Sequence, residues 1–128
     1  MTDRSGPTLA ALTRQRVIPV LRFDSAGAAV DAAAMLVEAG FEVLELTMSV
    51  PGAPEVMREL ADQYPNATVG AGTVLSTADA ERCVASGARF VVSPCRVEGL
   101  AAFCREAGVP CLMGALTPSE VLAAWLDG

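Results

Sequence analysis

Along this chain, segments with a helical apolar period take turns with short runs rich in β-branched residues. A leading helical segment at residues 7–14 precedes "RVIPVLRF" (16–23), helical "SAGAAVDAAAMLVEAG" (25–40), strand-like "FEVLELTM" (41–48), helical "GAPEVMRELADQYP" (52–65) and strand-like "ATVGAGTV" (67–74). The pattern continues with helical "STADAERCVASGA" (76–88), strand-like "RFVVSP" (89–94), helical "VEGLAAFCREAG" (97–108), strand-like "VPCLMGA" (109–115) and helical "TPSEVLAAWLDG" (117–128). Each strand is followed by a helix, so hairpins are excluded and the strands pair in parallel through crossovers. The prediction is an α/β fold of five β/α units forming a single domain over residues 1–128.

The punctuation of these units repeats. "EAGFEVLEL", "ASGARFVVS" and "EAGVPCLMG" each place a glycine between helix and strand, which marks Gly40, Gly87 and Gly108 as left-handed helix terminators. Ser76 is placed to cap the helix that follows it, and "TPSE" carries Thr117 at N-cap, Pro118 at the first helical position and Glu120 at N3, a full capping box. By the same grammar a sixth strand should begin directly after Gly128. Five units in 128 residues imply roughly 200 for eight, the short end of a (β/α)8 TIM barrel, so the chain reads as about the first five units of one. The rival is an open flavodoxin-like sheet, which is complete at five strands but needs a ligand site at its switch point.

Composition narrows the function. Net charge is −6 and aromatics are five per cent, without a basic cluster, which excludes the electrostatic footprint and stacking platform of a nucleic-acid binder. No apolar run approaches the roughly 20 residues of a membrane span, and the amino-terminal "MTDRSGPTLAALTRQR" lacks a signal peptide's apolar core and cleavage site, so the expected location is cytoplasmic. Cys83, Cys95, Cys104 and Cys111 show no Cys-x-x-Cys spacing and there is no His, which leaves a zinc site poorly supplied with ligands and the cysteines as reduced packing residues. All nine basic residues are Arg, so the chain contains no Lys.

Glu45 sits in the middle of an apolar strand, where an unpaired carboxylate costs several kcal/mol to desolvate. Strand alternation puts Val43, Glu45 and Thr47 on one face and Leu44, Leu46 and Met48 on the other. In a barrel the apolar set meets the helices, and Glu45 and Thr47 point into the lumen near its catalytic, C-terminal mouth. The same parity groups Val20 with Arg22, and Val69 and Ala71 with Thr73, so an acid, an Arg and a hydroxyl are expected to converge. A core pair of Glu45 with Arg22 is the plainer alternative. In "VGAGTVLS", Gly70 and Gly72 lack the third glycine of a dinucleotide loop, and such glycines in a strand clear space, here beside Thr73. Pro94 in "SPCR" ends its strand, either as a plain terminator or as part of a mouth loop.

"VIPVLR", "VLELTMSVPGA", "VGAGTVLS", "FVVSP" and "GALTPSEV" together resemble, in order and spacing, the 2-keto-3-deoxy-6-phosphogluconate (KDPG) and 4-hydroxy-2-oxoglutarate (KHG) aldolases, from residue 16 to residue 128. The resemblance implies a homotrimeric (β/α)8 barrel and a class I carbon–carbon lyase that cleaves a keto acid to pyruvate and an aldehyde through a Lys Schiff base, with no cofactor and no metal. It implies that Glu45 is the acid/base residue, that Arg22 and Thr73 hold the pyruvate carboxylate and that Pro94 lines the pyruvyl pocket; Thr47, on the lumen face by strand parity, is expected to contact the substrate beside them. Ser49 stands where some members carry an Arg, which leaves carboxylate binding to Arg22; Cys95 and Met113 also depart from the usual pattern. The Schiff-base Lys of the family lies on the sixth strand in a Lys-x-Phe-Pro motif, so this chain alone is expected to be inactive. A non-catalytic fragment that binds keto acids or assembles with a partner is the alternative.

Overall fold

The structure, a computed structural model, describes residues 5–128; the α-amine and the first four residues of the amino-terminal stretch lie outside the described residues. The element order is α1 (Ser5–Gln15), β1 (Val20–Leu21), α2 (Ala26–Glu38), β2 (Val43–Thr47), α3 (Ala53–Gln63), β3 (Thr68–Gly72), α4 (Thr77–Ala85), β4 (Val91–Ser93), α5 (Leu100–Ala107), β5 (Cys111–Met113) and α6 (Pro118–Leu126). The five strands form one parallel sheet in the order β1-β2-β3-β4-β5. An open flavodoxin-like sheet would place β1 between β2 and β3. Here each new strand joins the last one's outer side, as in a barrel wound in a single direction.

Two apolar clusters show which face meets what. Leu21, Leu44, Leu46, Val69, Ala71 and Val91 pack with α2 through α5 in one core. On the opposite face Val43 and Phe90 are buried against Ala11 of α1, joined by Leu12, Ile18, Val92 and Leu112. The long helices therefore cover one side of the sheet, and α1 closes the floor of the other, which is the lumen. Gln15 fastens that floor: its side-chain nitrogen donates to the carbonyls of Val17 and Val43, and its oxygen accepts from the backbone N–H groups of Glu42 and Val43.

The helix ends follow the sequence grammar. Gly40, Gly87 and Gly108 take φ of 95°, 103° and 67°, and the residue after each donates to the carbonyl five positions back (Phe41 to Leu36, Ala88 to Cys83, Val109 to Cys104). Ser76 accepts from the Asp79 N–H, and Thr117 with Glu120 forms both halves of the capping box.

The parity expected for β3 is corrected. Val69 and Ala71 face the helices, and the positions in register with Glu45 and Thr47 are Gly70 and Gly72. Thr73 lies one residue past the strand at φ 58°, a left-handed conformation that breaks the alternation and returns its side chain to the mouth.

Candidate active site

Glu45 is held on the lumen face of β2, between Val20 of β1 and Gly70 of β3, and is only 8% exposed. A Cβ atom on Gly72 would lie 1.9 Å from Glu45 Oε1, so the missing side chain of Gly72 is the seat of the carboxyl group. Gly70 serves likewise for the Phe90 ring, which would stand 2.3 Å from an added Cβ. The space expected at Gly72 is present, but it serves the Glu45 carboxyl and not Thr73. The signal was available in the doubled glycine alternating in phase with Glu45.

Among the described residues no ion pair joins Arg22 to Glu45, which sets aside the simple core pair. Arg22 Nη2 instead donates to Thr73 Oγ1 at 3.2 Å. Burial pushes the Glu45 carboxyl above its ordinary value, and the positive charge of Arg22 draws it part of the way back. Among the described residues the carboxyl group has no side-chain partner, yet none of their side-chain oxygens is both sealed from solvent and unpartnered, so it remains within reach of water. A carboxyl group in this state holds its proton to higher pH than an exposed glutamate and can still exchange it with water.

Thr47 shares the face of Glu45 but is fully buried, and its Oγ1 donates to the Leu21 carbonyl at 3.1 Å. With that proton committed, the 2.8 Å contact to Ser49 Oγ has Ser49 as donor. Thr47 thus braces β1 against β2 beneath the mouth. Pro94 follows β4 at the same end of the sheet, exposed, in phase with Phe90 and Val92, and its carbonyl is crowded by Gly114, where an added Cβ would approach it to 2.3 Å. The structure accordingly brings Glu45, Arg22 and Thr73 together, sets Thr47 beside Gly72 at the C-terminal end of β2, and leaves Pro94 exposed on the rim.

The four cysteines are free thiols. Cys83 donates to Met48 Sδ at 3.1 Å behind β2, and burial, helped by the charge of Asp79, pushes its thiol up to about 11, which suits packing and not nucleophilic chemistry. Among the described residues no group of three or more His, Cys, Asp or Glu could hold a metal ion, and no helix is long and apolar enough to cross a membrane.

The model of the KDPG and KHG aldolase family matches residues 9–128. The 2-dehydro-3-deoxy-phosphogluconate aldolase of Dickeya dadantii is 38% identical over 111 residues, which is 87% of this chain and 52% of that protein. The KHG/KDPG aldolase of Escherichia coli K12 is 36% identical over the same share of this chain. Among solved structures, the KDPG aldolase of Legionella pneumophila, with pyruvate captured as a covalent carbinolamine, superposes with a TM-score of 0.79 at 29% identity, covering 98% of this chain and 60% of that one. The Zymomonas mobilis enzyme with 3-phosphoglycerate gives 0.83 at 29% identity, covering 94% and 57%. This chain spans about half the length of the curated relatives it matches. With five parallel strands wound in sequence, helices on one face and a seated acid on the other, the chain belongs to the KDPG and KHG aldolase family.

Proposed function

We propose that this chain supplies the acid/base and carboxylate-binding part of a class I aldolase site, acting in the cleavage of 2-keto-3-deoxy-6-phosphogluconate or 4-hydroxy-2-oxoglutarate to pyruvate and an aldehyde. The observation that carries this reading is Glu45: buried, unpaired, raised by desolvation, and seated over Gly72 beside the Arg22–Thr73 pair. In this reading the Arg22 guanidinium and the Thr73 hydroxyl hold the carboxylate of the keto acid, the first by a charge-assisted fork. Pro94 limits the pocket around the pyruvyl carbons.

Class I chemistry needs an amine to attack the keto carbon. The sequence holds no Lys, so the amine that forms the imine comes from outside these 128 residues. Glu45, through a water, would give a proton to the departing hydroxyl of the carbinolamine. As carboxylate it would then accept the proton of the aldol hydroxyl as the carbon–carbon bond breaks and the electron pair moves into the imine. Both steps need one group that is neutral at one moment and charged at the next, which is what a raised, water-reachable carboxyl provides. The reading carries with it a cytoplasmic homo-oligomer, a trimer by resemblance, which fractionation and sedimentation would check.

The test is pyruvate binding to the chain, followed by amide chemical shifts. Shifts confined to the neighbourhood of Arg22, Glu45 and Thr73, and lost in R22A, support the reading. Shifts that avoid these residues, or that persist unchanged in R22A, overturn it.

A further inference from the structure

Arg22 and Thr73 each stand one residue beyond a strand, on either side of β2. The last pair that β1 makes with β2 is Leu21 with Leu46, and β3 meets the end of β2 where Thr47 lies in register with Gly72. The bond from Arg22 Nη2 to Thr73 Oγ1 therefore spans the end of β2, whose final residue is Thr47. Arg22 is exposed, and β1 offers it a strand of only two residues as an anchor.

Thr47 supplements that anchor. It is fully buried, and its Oγ1 donates to the Leu21 carbonyl at 3.1 Å. The Leu21 carbonyl and the Arg22 N–H belong to one planar peptide unit, so a bond that fixes the first also fixes the plane from which Arg22 departs. Ser49 Oγ donates to the same Thr47 hydroxyl at 2.8 Å. Thr47 has thus given its one hydroxyl proton to the backbone and lies closed to solvent, which leaves it no donor for a ligand.

We propose that Thr47 is a positioning residue: through the Leu21 carbonyl it holds Arg22 in the orientation that meets Thr73 and, on the functional reading above, on which this inference rests, the carboxylate of the keto acid. Without the hydroxyl, the Leu21 carbonyl loses a buried partner and the Leu21–Arg22 peptide unit is free to turn. The guanidinium must then be ordered by the ligand itself, and affinity falls. Direct contact between Thr47 and the substrate, the expectation from strand parity, is the competing role.

The experiment compares the parent chain with T47V, which keeps the shape and removes the hydroxyl, and T47S, which keeps the hydroxyl. NMR relaxation follows the Arg22 Nε–H without ligand, and a titration then gives the affinity for pyruvate. The expected result is an ordered Arg22 Nε–H in the parent and in T47S, a mobile one in T47V, and pyruvate binding weakened in T47V by about 3–10-fold, the size of one lost neutral hydrogen bond. The proposal is overturned if T47V leaves either the Arg22 Nε–H or the pyruvate affinity as in the parent, or if T47S disturbs them as much as T47V does. A parent chain that binds no pyruvate at Arg22 overturns the functional reading, and the ligand-free Arg22 signal still decides the role of Thr47. Should T47V not fold, the parent chain decides: nuclear Overhauser contacts from the pyruvate methyl group to the Thr47 side chain overturn the proposal, and pyruvate-induced shifts at Arg22 without such contacts support it.

Discussion

A carboxyl group on a buried strand can be relieved by a partner, by protonation or by a gap that admits water, and Glu45 relies on the last two. Its pKa is raised in the fold, so the folded state holds the proton more tightly than the unfolded chain does. The stability linked to that proton is fully present below the ordinary glutamate value and is lost as pH rises through the folded value. E45Q removes the dependence. We predict that the difference in Tm between E45Q and the parent chain moves in favour of E45Q on going from acidic to neutral pH, measured by calorimetry; a difference that is flat with pH contradicts the desolvated carboxyl. At Gly72 the conflict is steric. We predict that G72A costs about 1–3 kcal/mol in urea denaturation, because an added methyl group must displace the Glu45 carboxyl or the strand. An unperturbed G72A would show that the seat is wider than described. Glu45, Arg22 and Thr73 were legible from residue type and position, whereas the facing of β3 was not. Anchoring the alternation on Thr73 put Val69 and Ala71 in the lumen, and the error arose because the left-handed Thr73 is out of phase with its own strand while glycines offer no side chain to reveal a face.

Among the elements, the helix boundaries were the most readable, since each rests on local chemistry: a hydroxyl that accepts, a glycine that turns left. Strand extents were less so, because ladder pairing depends on neighbours far along the chain. The run "RVIPVLRF" yields only the two paired residues of β1. α6 shows what local chemistry alone can hold, for it has no buried residue. It is secured at one end by its capping box and at the other by Arg96, whose Nε and Nη2 donate to the Asp127 carboxylate at 2.6 and 3.0 Å. We predict that T117A lowers the local stability of α6 by about 1 kcal/mol. Hydrogen exchange of the α6 amides would accelerate while β2 and β3 remain protected. Equal protection of α6 in both proteins would mean that packing, not the cap, holds the helix.

For the whole molecule, the sheet has two edges, β1 and β5, and the lumen face near them is uncovered. Val20, in register with Glu45, is 51% exposed, and Trp125 on α6 is 82% exposed. Unpaired edges template association, and each large apolar side chain left in water forgoes roughly 1.5–3 kcal/mol of burial. We predict that the 128-residue chain self-associates at micromolar concentration in sedimentation experiments. A single monomer with a cooperative melt and no dye-accessible apolar surface contradicts this. In the proposed reaction Glu45 moves the proton while the imine-forming amine comes from outside these residues. The most direct measurement is the kcat for KDPG cleavage by a hybrid in which this chain is continued by the part of the Escherichia coli relative that follows the matched segment, compared with the chain alone and with the E45Q hybrid. We predict no turnover by the chain alone, turnover by the hybrid, and a loss of about 10²–10⁴-fold in kcat for E45Q, with borohydride still trapping pyruvate on a lysine of the added half. Turnover by the chain alone, or an E45Q hybrid with unchanged kcat, would contradict it.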